Sequence, residues 1–153
     1  MTSHSYLLWI CLSAYAVFIL EKVMFDWMNW AQNRLGLMDV NWAEFYCSSA
    51  IMLVIGMCCA MTGWSEPGFA LLFTASMLIK SVLFYLIPLV LKARFRPGIF
   101  SAIVLLIPLS CWAYYGAYTD GMITPAVLVV SLALGILLLA LPMIFYKLKR
   151  RFN

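Results

Sequence analysis

An all-α integral membrane bundle of five transmembrane helices is the fold that the sequence predicts, and three observations carry that reading. The chain of 153 residues is 66% hydrophobic and only 10% charged, against about 25% charged in an ordinary soluble domain. Its apolar residues gather into five runs of span length, and its basic residues collect between and after particular runs. With a mean hydropathy of +1.00, a water-soluble fold could not cover its surface with polar groups. The length allows one domain, residues 1–153, with 147–153 as a short basic cytoplasmic tail.

The runs are Tyr6–Phe25, Phe45–Thr62, Pro67–Leu91, Phe100–Tyr118 and Thr124–Phe145. A backbone in lipid must satisfy its own hydrogen bonds, and segments of this length do so as helices. The first run contains Ala14-Tyr15-Ala16, which resembles a signal cleavage site. It lacks a basic leader and continues to Leu20, so a retained helix is expected. Between the first two runs, Trp27, Trp30, Ala31 and Leu35 recur at helical spacing, the pattern of an interfacial helix extending the first span. Gly63 to Gly68 separates the second and third runs, and Pro67 suits the first turn of a helix. Arg96-Pro97-Gly98 breaks the third from the fourth, and Thr119-Asp120-Gly121 the fourth from the fifth. No internal repeat or low-complexity segment is evident.

Lys92, Arg94, Arg96 and the C-terminal Lys147, Lys149, Arg150 and Arg151 fall on one side of a five-span chain, together with Arg34. The other side carries His4, Glu66 and Asp120 but no lysine or arginine. The bias of basic residues towards the cytoplasm then places the N-terminus outside a cell membrane and the C-terminus inside. A four-span count would break this segregation. Trp27, Trp30 and Trp42 flank the basic side, and Trp64, Tyr114, Tyr115 and Tyr118 the other, as an aromatic belt.

Composition excludes several functions. The net charge of +4 reads as loop bias and points to the lipid bilayer, with no nucleic-acid partner. Cys11, Cys47, Cys58, Cys59 and Cys111 lie in or beside apolar runs without metal or redox spacing, and behave as small packing residues. His4 is the single histidine, so no two-histidine metal site can form within the chain. No metal and no cofactor is expected.

Charge inside the apolar runs is rare and therefore informative. Lys80 lies mid-run, where a basic side chain costs roughly 2.5–3.5 kcal/mol. Glu21, Lys22 and Asp26 form the other group. Helical rise places Glu21 about 22 Å along the first span and Lys80 about 20 Å along the third, so the two are expected to pair. Lys22 would then pair with Asp26 four residues on. Ser81 and Tyr85 add hydroxyls, giving a polar centre of Glu21, Lys22, Asp26, Lys80, Ser81 and Tyr85, with Phe18 and Trp27 as candidate cavity wall.

Three short segments resemble the HXXEE family of small bacterial and archaeal membrane proteins. That family carries His-x-x-Glu-Glu in its first helix, then Asn-x-x-x-His, then Tyr-x-Pro-Gly. The matching stretches are Phe18-Ile19-Leu20-Glu21-Lys22, Ser81-Val82-Leu83-Phe84-Tyr85 and Phe95-Arg96-Pro97-Gly98. Only Glu21, Pro97 and Gly98 keep the family residue. Phe18 and Tyr85 replace its histidines, Lys22 its second glutamate and Ser81 its asparagine. The resemblance implies a degenerate member that has lost histidine chemistry.

Function is thereby narrowed to three classes, with no decision between enzyme and non-enzyme. The first is a ligand-binding or accessory protein with a buried polar centre, its partner a hydrophobic small molecule or another membrane protein. The second is a membrane enzyme of cyclase or isomerase type, with Glu21 or Asp26 as general acid on a lipid or isoprenoid. The third is a small transporter or immunity-type protein.

Overall fold

The computed structural model describes residues 3–36, 41–92 and 94–152. Residue 153 of the expected tail lies outside the described residues, as does part of the 26–44 connection. All described secondary structure is helical. In chain order the helices are α1 (Tyr6–Met24), α2 (Trp27–Leu35), α3 (Trp42–Thr62), α4 (Pro67–Lys92), α5 (Ile99–Thr119) and α6 (Pro125–Phe152). All except α2 are long and apolar enough to cross a membrane. The last helix runs on through the basic segment, with residues 147–152 continuing α6.

Helix α4 is the hub, packed against α1, α3, α5 and α6. Its middle, Ala70 to Met77, is buried at every residue, the condition of a helix surrounded by others. Against α6 the approach is close enough to require glycine. A Cβ on Gly135 would stand 2.9 Å from the Ala75 Cβ and 3.0 Å from the Ser76 nitrogen, the small-residue contact by which helices associate in lipid.

A local repeat, missed in the linear sequence, shapes two helices. Ser81 to Leu89 and Ser101 to Leu109 agree at their serine, at Leu86 and Leu106, and through Ile-Pro-Leu. Each contains a π turn, Val82–Leu86 in α4 and Ala102–Leu106 in α5, ending immediately before the isoleucine. The cause is proline. Pro88 and Pro108 have no N–H, and each ring collides with the carbonyl four residues back. Widening the preceding turn relieves that collision, and the isoleucine N–H groups bond five residues back, Ile87 to Val82 and Ile107 to Ala102. The two π turns touch one another, and such turns gather at functional sites.

The end of α1 also differs from a simple extension. Phe25 stops the helix, and Asp26 turns the chain at φ 47°. Asp26 then caps α2, accepting from the Asn29 N–H at 3.4 Å. Met28 and Ala31 are the buried residues of α2.

Candidate functional site

The site is built at the basic end, where α1, α4 and the start of α5 meet. The Arg96-Pro97-Gly98 turn delivers the chain into α5, with Gly98 at φ 94°. A helix start leaves its first N–H groups without partners, and a side chain at the capping position usually takes them. Gly98 has none. Glu21 on α1 supplies the cap from another helix, accepting from the Phe100 N–H at 3.2 Å and the Ser101 N–H at 2.7 Å. Both oxygens of this carboxylate, which is 9% exposed, are thus engaged, and its charge complements the helix dipole.

The turn admits no side chain at Gly98. A Cβ there would lie 2.8 Å from the Phe18 ring, 3.3 Å from the Lys22 Cγ and 3.3 Å from the Tyr85 hydroxyl. Phe18 and Tyr85 meet edge to face, with centroids 5.5 Å apart. One point therefore joins residues from α1, α4 and the α4–α5 turn. It is also the point at which the three short segments of the family-like pattern converge.

Phe18 is shared by two lysines. The Lys22 Nζ lies 4.8 Å from its centroid and the Lys80 Nζ 5.3 Å. Lys22 is further enclosed by Trp27 at 4.8 Å and Phe45 at 5.9 Å, and Lys80 by Tyr15 at 5.4 Å. A cation on an aromatic face gains about 2 kcal/mol when desolvated, which offsets burial without neutralising charge. Lys22 is 7% exposed, and Lys80 is half-buried.

The expected Glu21–Lys80 ion pair is not formed. The ion pairs among the described residues are His4–Asp120 and Lys149–Glu44. Lys80 reaches Tyr15 and Phe18, a turn away from Glu21, whose oxygens are taken by α5. Nor does Lys22 pair with Asp26, because α1 ends at Met24 and the i,i+4 geometry ends with it. Asp26 stands apart from the centre, exposed at the α2 cap. Ser81 is buried but returns its hydroxyl to the Met77 carbonyl at 2.7 Å. Of the remaining expected residues, Glu21, Lys22, Lys80, Tyr85, Phe18, Trp27 and Gly98 come together, with Pro97 buried beside them. Arg96 turns outward from the centre. Its Nη1 donates to the Phe84 carbonyl at 2.9 Å, the group orphaned by Pro88, and its guanidinium lies 5.4 Å over Trp30.

A second polar cluster, at the opposite end, escaped the sequence reading. Asp120 accepts from the His4 N–H at 2.6 Å and the Trp64 Nε1 at 2.8 Å, and lies 2.6 Å from the His4 Nδ1. These bonds hold its carboxyl below the ordinary 3.8, the imidazole contributing most and the His4 backbone next. The signal available was one of charge: His4 and Asp120 are among the few polar residues assigned to that side.

Among the described residues, no three of His, Cys, Asp and Glu gather as a metal site. Comparison with protein-family models, curated proteins and solved structures gives no match.

Proposed function

We propose that this chain is a multi-pass protein of the cell membrane, its basic end in the cytoplasm, that binds an amphiphilic molecule at the Phe18–Gly98 centre without acting on it chemically. The observation that carries this reading is the division of labour among its charges. Glu21 is committed to the start of α5 through both oxygens, while Lys22 and Lys80 share an aromatic ring with no carboxylate partner. A general acid must present a proton to a substrate. Glu21 presents two acceptors to a backbone, and Asp26 is turned away at an exposed cap. Neither carboxyl is therefore placed to act as a general acid. The convergence of Phe18, Glu21, Tyr85 and Gly98 supports keeping the HXXEE likeness within this proposal, as a degenerate binding member.

The test is direct. Protein purified in mild detergent is extracted with organic solvent, and the extract is compared by mass spectrometry with that of a Gly98→Val variant. A stoichiometric amphiphile present only with the unmodified protein is expected. An empty protein that withstands exhaustive delipidation with unchanged stability would refute the binding role.

A further inference from the structure

We infer that the ligand of this centre carries an acidic group, a phosphate or carboxylate, bound between Lys22 and Lys80 beside Phe18. The inference rests on the binding role proposed above and names the chemistry of what is bound. A buried ammonium without an anion is unstable in an apolar setting, and must lose its proton or acquire a counter-charge. Here two such groups face one ring. Lys22 is more than nine-tenths buried and, among the described residues, makes neither a hydrogen bond nor an ion pair. The acid nearest in sequence, Glu21, is used up by the Phe100 and Ser101 N–H groups.

A third donor points the same way. The Tyr85 hydroxyl stands against Gly98 and the Lys22 stem, in a residue 5% exposed. It too makes no hydrogen bond among the described residues. Two amines thus share one ring, with a phenol beside the same turn and no hydrogen-bond acceptor for any of them among the described residues, and acceptor-rich, negatively charged groups are what such a set recognises. Lys80 is half-buried, so part of this residue remains accessible. The aromatic rings around the two amines suit the chain of an amphiphile, whereas a free anion would use the donors alone.

Native mass spectrometry of the full, delipidated chain separates these cases. The probes are dodecyl phosphate, dodecanoate, dodecanol and inorganic phosphate. The acidic amphiphiles should be retained and dodecanol should not. Each lysine would give the acidic group a charge-assisted hydrogen bond, so Lys22→Gln or Lys80→Gln should each weaken retention about tenfold or more. Lys22→Arg should keep most of it, and circular dichroism with a monodisperse elution profile shows that each variant is folded. Inorganic phosphate bound alone, and lost in the same variants, would still support the site and assign it a free anion. Equal retention of dodecanol and dodecyl phosphate, or acidic binding unchanged in folded Lys22→Gln and Lys80→Gln proteins, would overturn the acidic group while leaving the binding role intact. Retention of no probe at all would remove both.

Discussion

The two ends of this bundle treat charge in opposite ways. At the His4 end, Asp120 meets two N–H donors and an imidazole, and the cluster is complete within the chain. At the Gly98 end, the carboxylate of Glu21 is equally well bonded, but to backbone N–H groups. Lys22 and Lys80 are left to aromatic faces. A balanced cluster needs nothing further and reads as a clasp between the N-terminal turn and the α5–α6 connection. An unbalanced one is held at a cost in stability, and it is on this imbalance that the proposed binding role rests.

Four changes break or sharpen that contrast. The largest effect is expected at Gly98. Alanine there adds a Cβ against Phe18, Lys22 and the Tyr85 hydroxyl and a left-handed backbone that only glycine adopts freely. Overpacking costs about 1–3 kcal/mol, so thermal unfolding in detergent should fall markedly for Gly98→Ala. At the sterically open Gly121, at φ 70° with nothing within 4 Å, alanine should meet only the backbone strain.

Next is Glu21→Ala, which strands the Phe100 and Ser101 N–H groups. Leaving buried donors unsatisfied costs about 1–3 kcal/mol. Glu21→Gln, which keeps one acceptor oxygen, should lose less. Because Glu21 and Lys80 are not partners, the losses from Glu21→Gln and Lys80→Met should add within about 0.5 kcal/mol in a double-mutant cycle. Strong coupling would restore the ion pair expected from depth alone.

The third change reverses sign. Lys22→Met in delipidated protein should raise stability or leave it unaltered, since replacing a buried, unpaired amine with an apolar side chain of similar length removes a desolvation penalty. Removing the charge at the balanced end, in Asp120→Ala, should only destabilise. If Lys22→Met unfolds the protein, the lysine is structural and the contrast between the ends fails.

The smallest effect is the acid sensitivity of the clasp. Asp120 titrates below its unfolded value of 3.8 because His4 and Trp64 donate to its charged form. A depressed carboxyl stabilises fully above the unfolded value, and that contribution disappears as pH falls through the folded one. The clasp should thus be intact near neutrality and open only below about pH 3.8. Trp64 fluorescence, taken as the difference from a Trp64→Phe variant, should report a transition there that is absent in Asp120→Asn.

Much of the fold was legible because membrane spans are local objects. The expected spans Tyr6–Phe25 and Pro67–Leu91 end within a residue of α1 and α4. The amphipathic spacing of Trp27, Trp30 and Ala31 likewise placed α2. Hydropathy over about 20 residues and the turn chemistry of Gly and Pro suffice for this, without knowledge of neighbours. The paired π turns needed more attention to sequence than to structure, since Ile-Pro-Leu stands openly at both Ile87 and Ile107.

The site was legible only in part. Helical rise converts sequence position into distance along a span, so Glu21 and Lys80 could be expected at similar depth. Rise says nothing about rotation. Whether Lys80 turns to Glu21 or to Phe18 depends on how α4 is set against α1, which follows from long-range packing around Ala70 to Met77. Likewise, no local pattern could show that the start of α5 would lack its own cap and draw one from α1. Nor could it show that a lone histidine near the N-terminus would meet Asp120 across 116 residues of chain. The sequence by itself determined the all-α class and the five long apolar helices, because these depend on hydrophobicity and helical geometry alone. The partners of the charges were decided by tertiary structure, because a side chain's partner depends on the azimuth of its helix, and azimuth is set by the packing of all of them together.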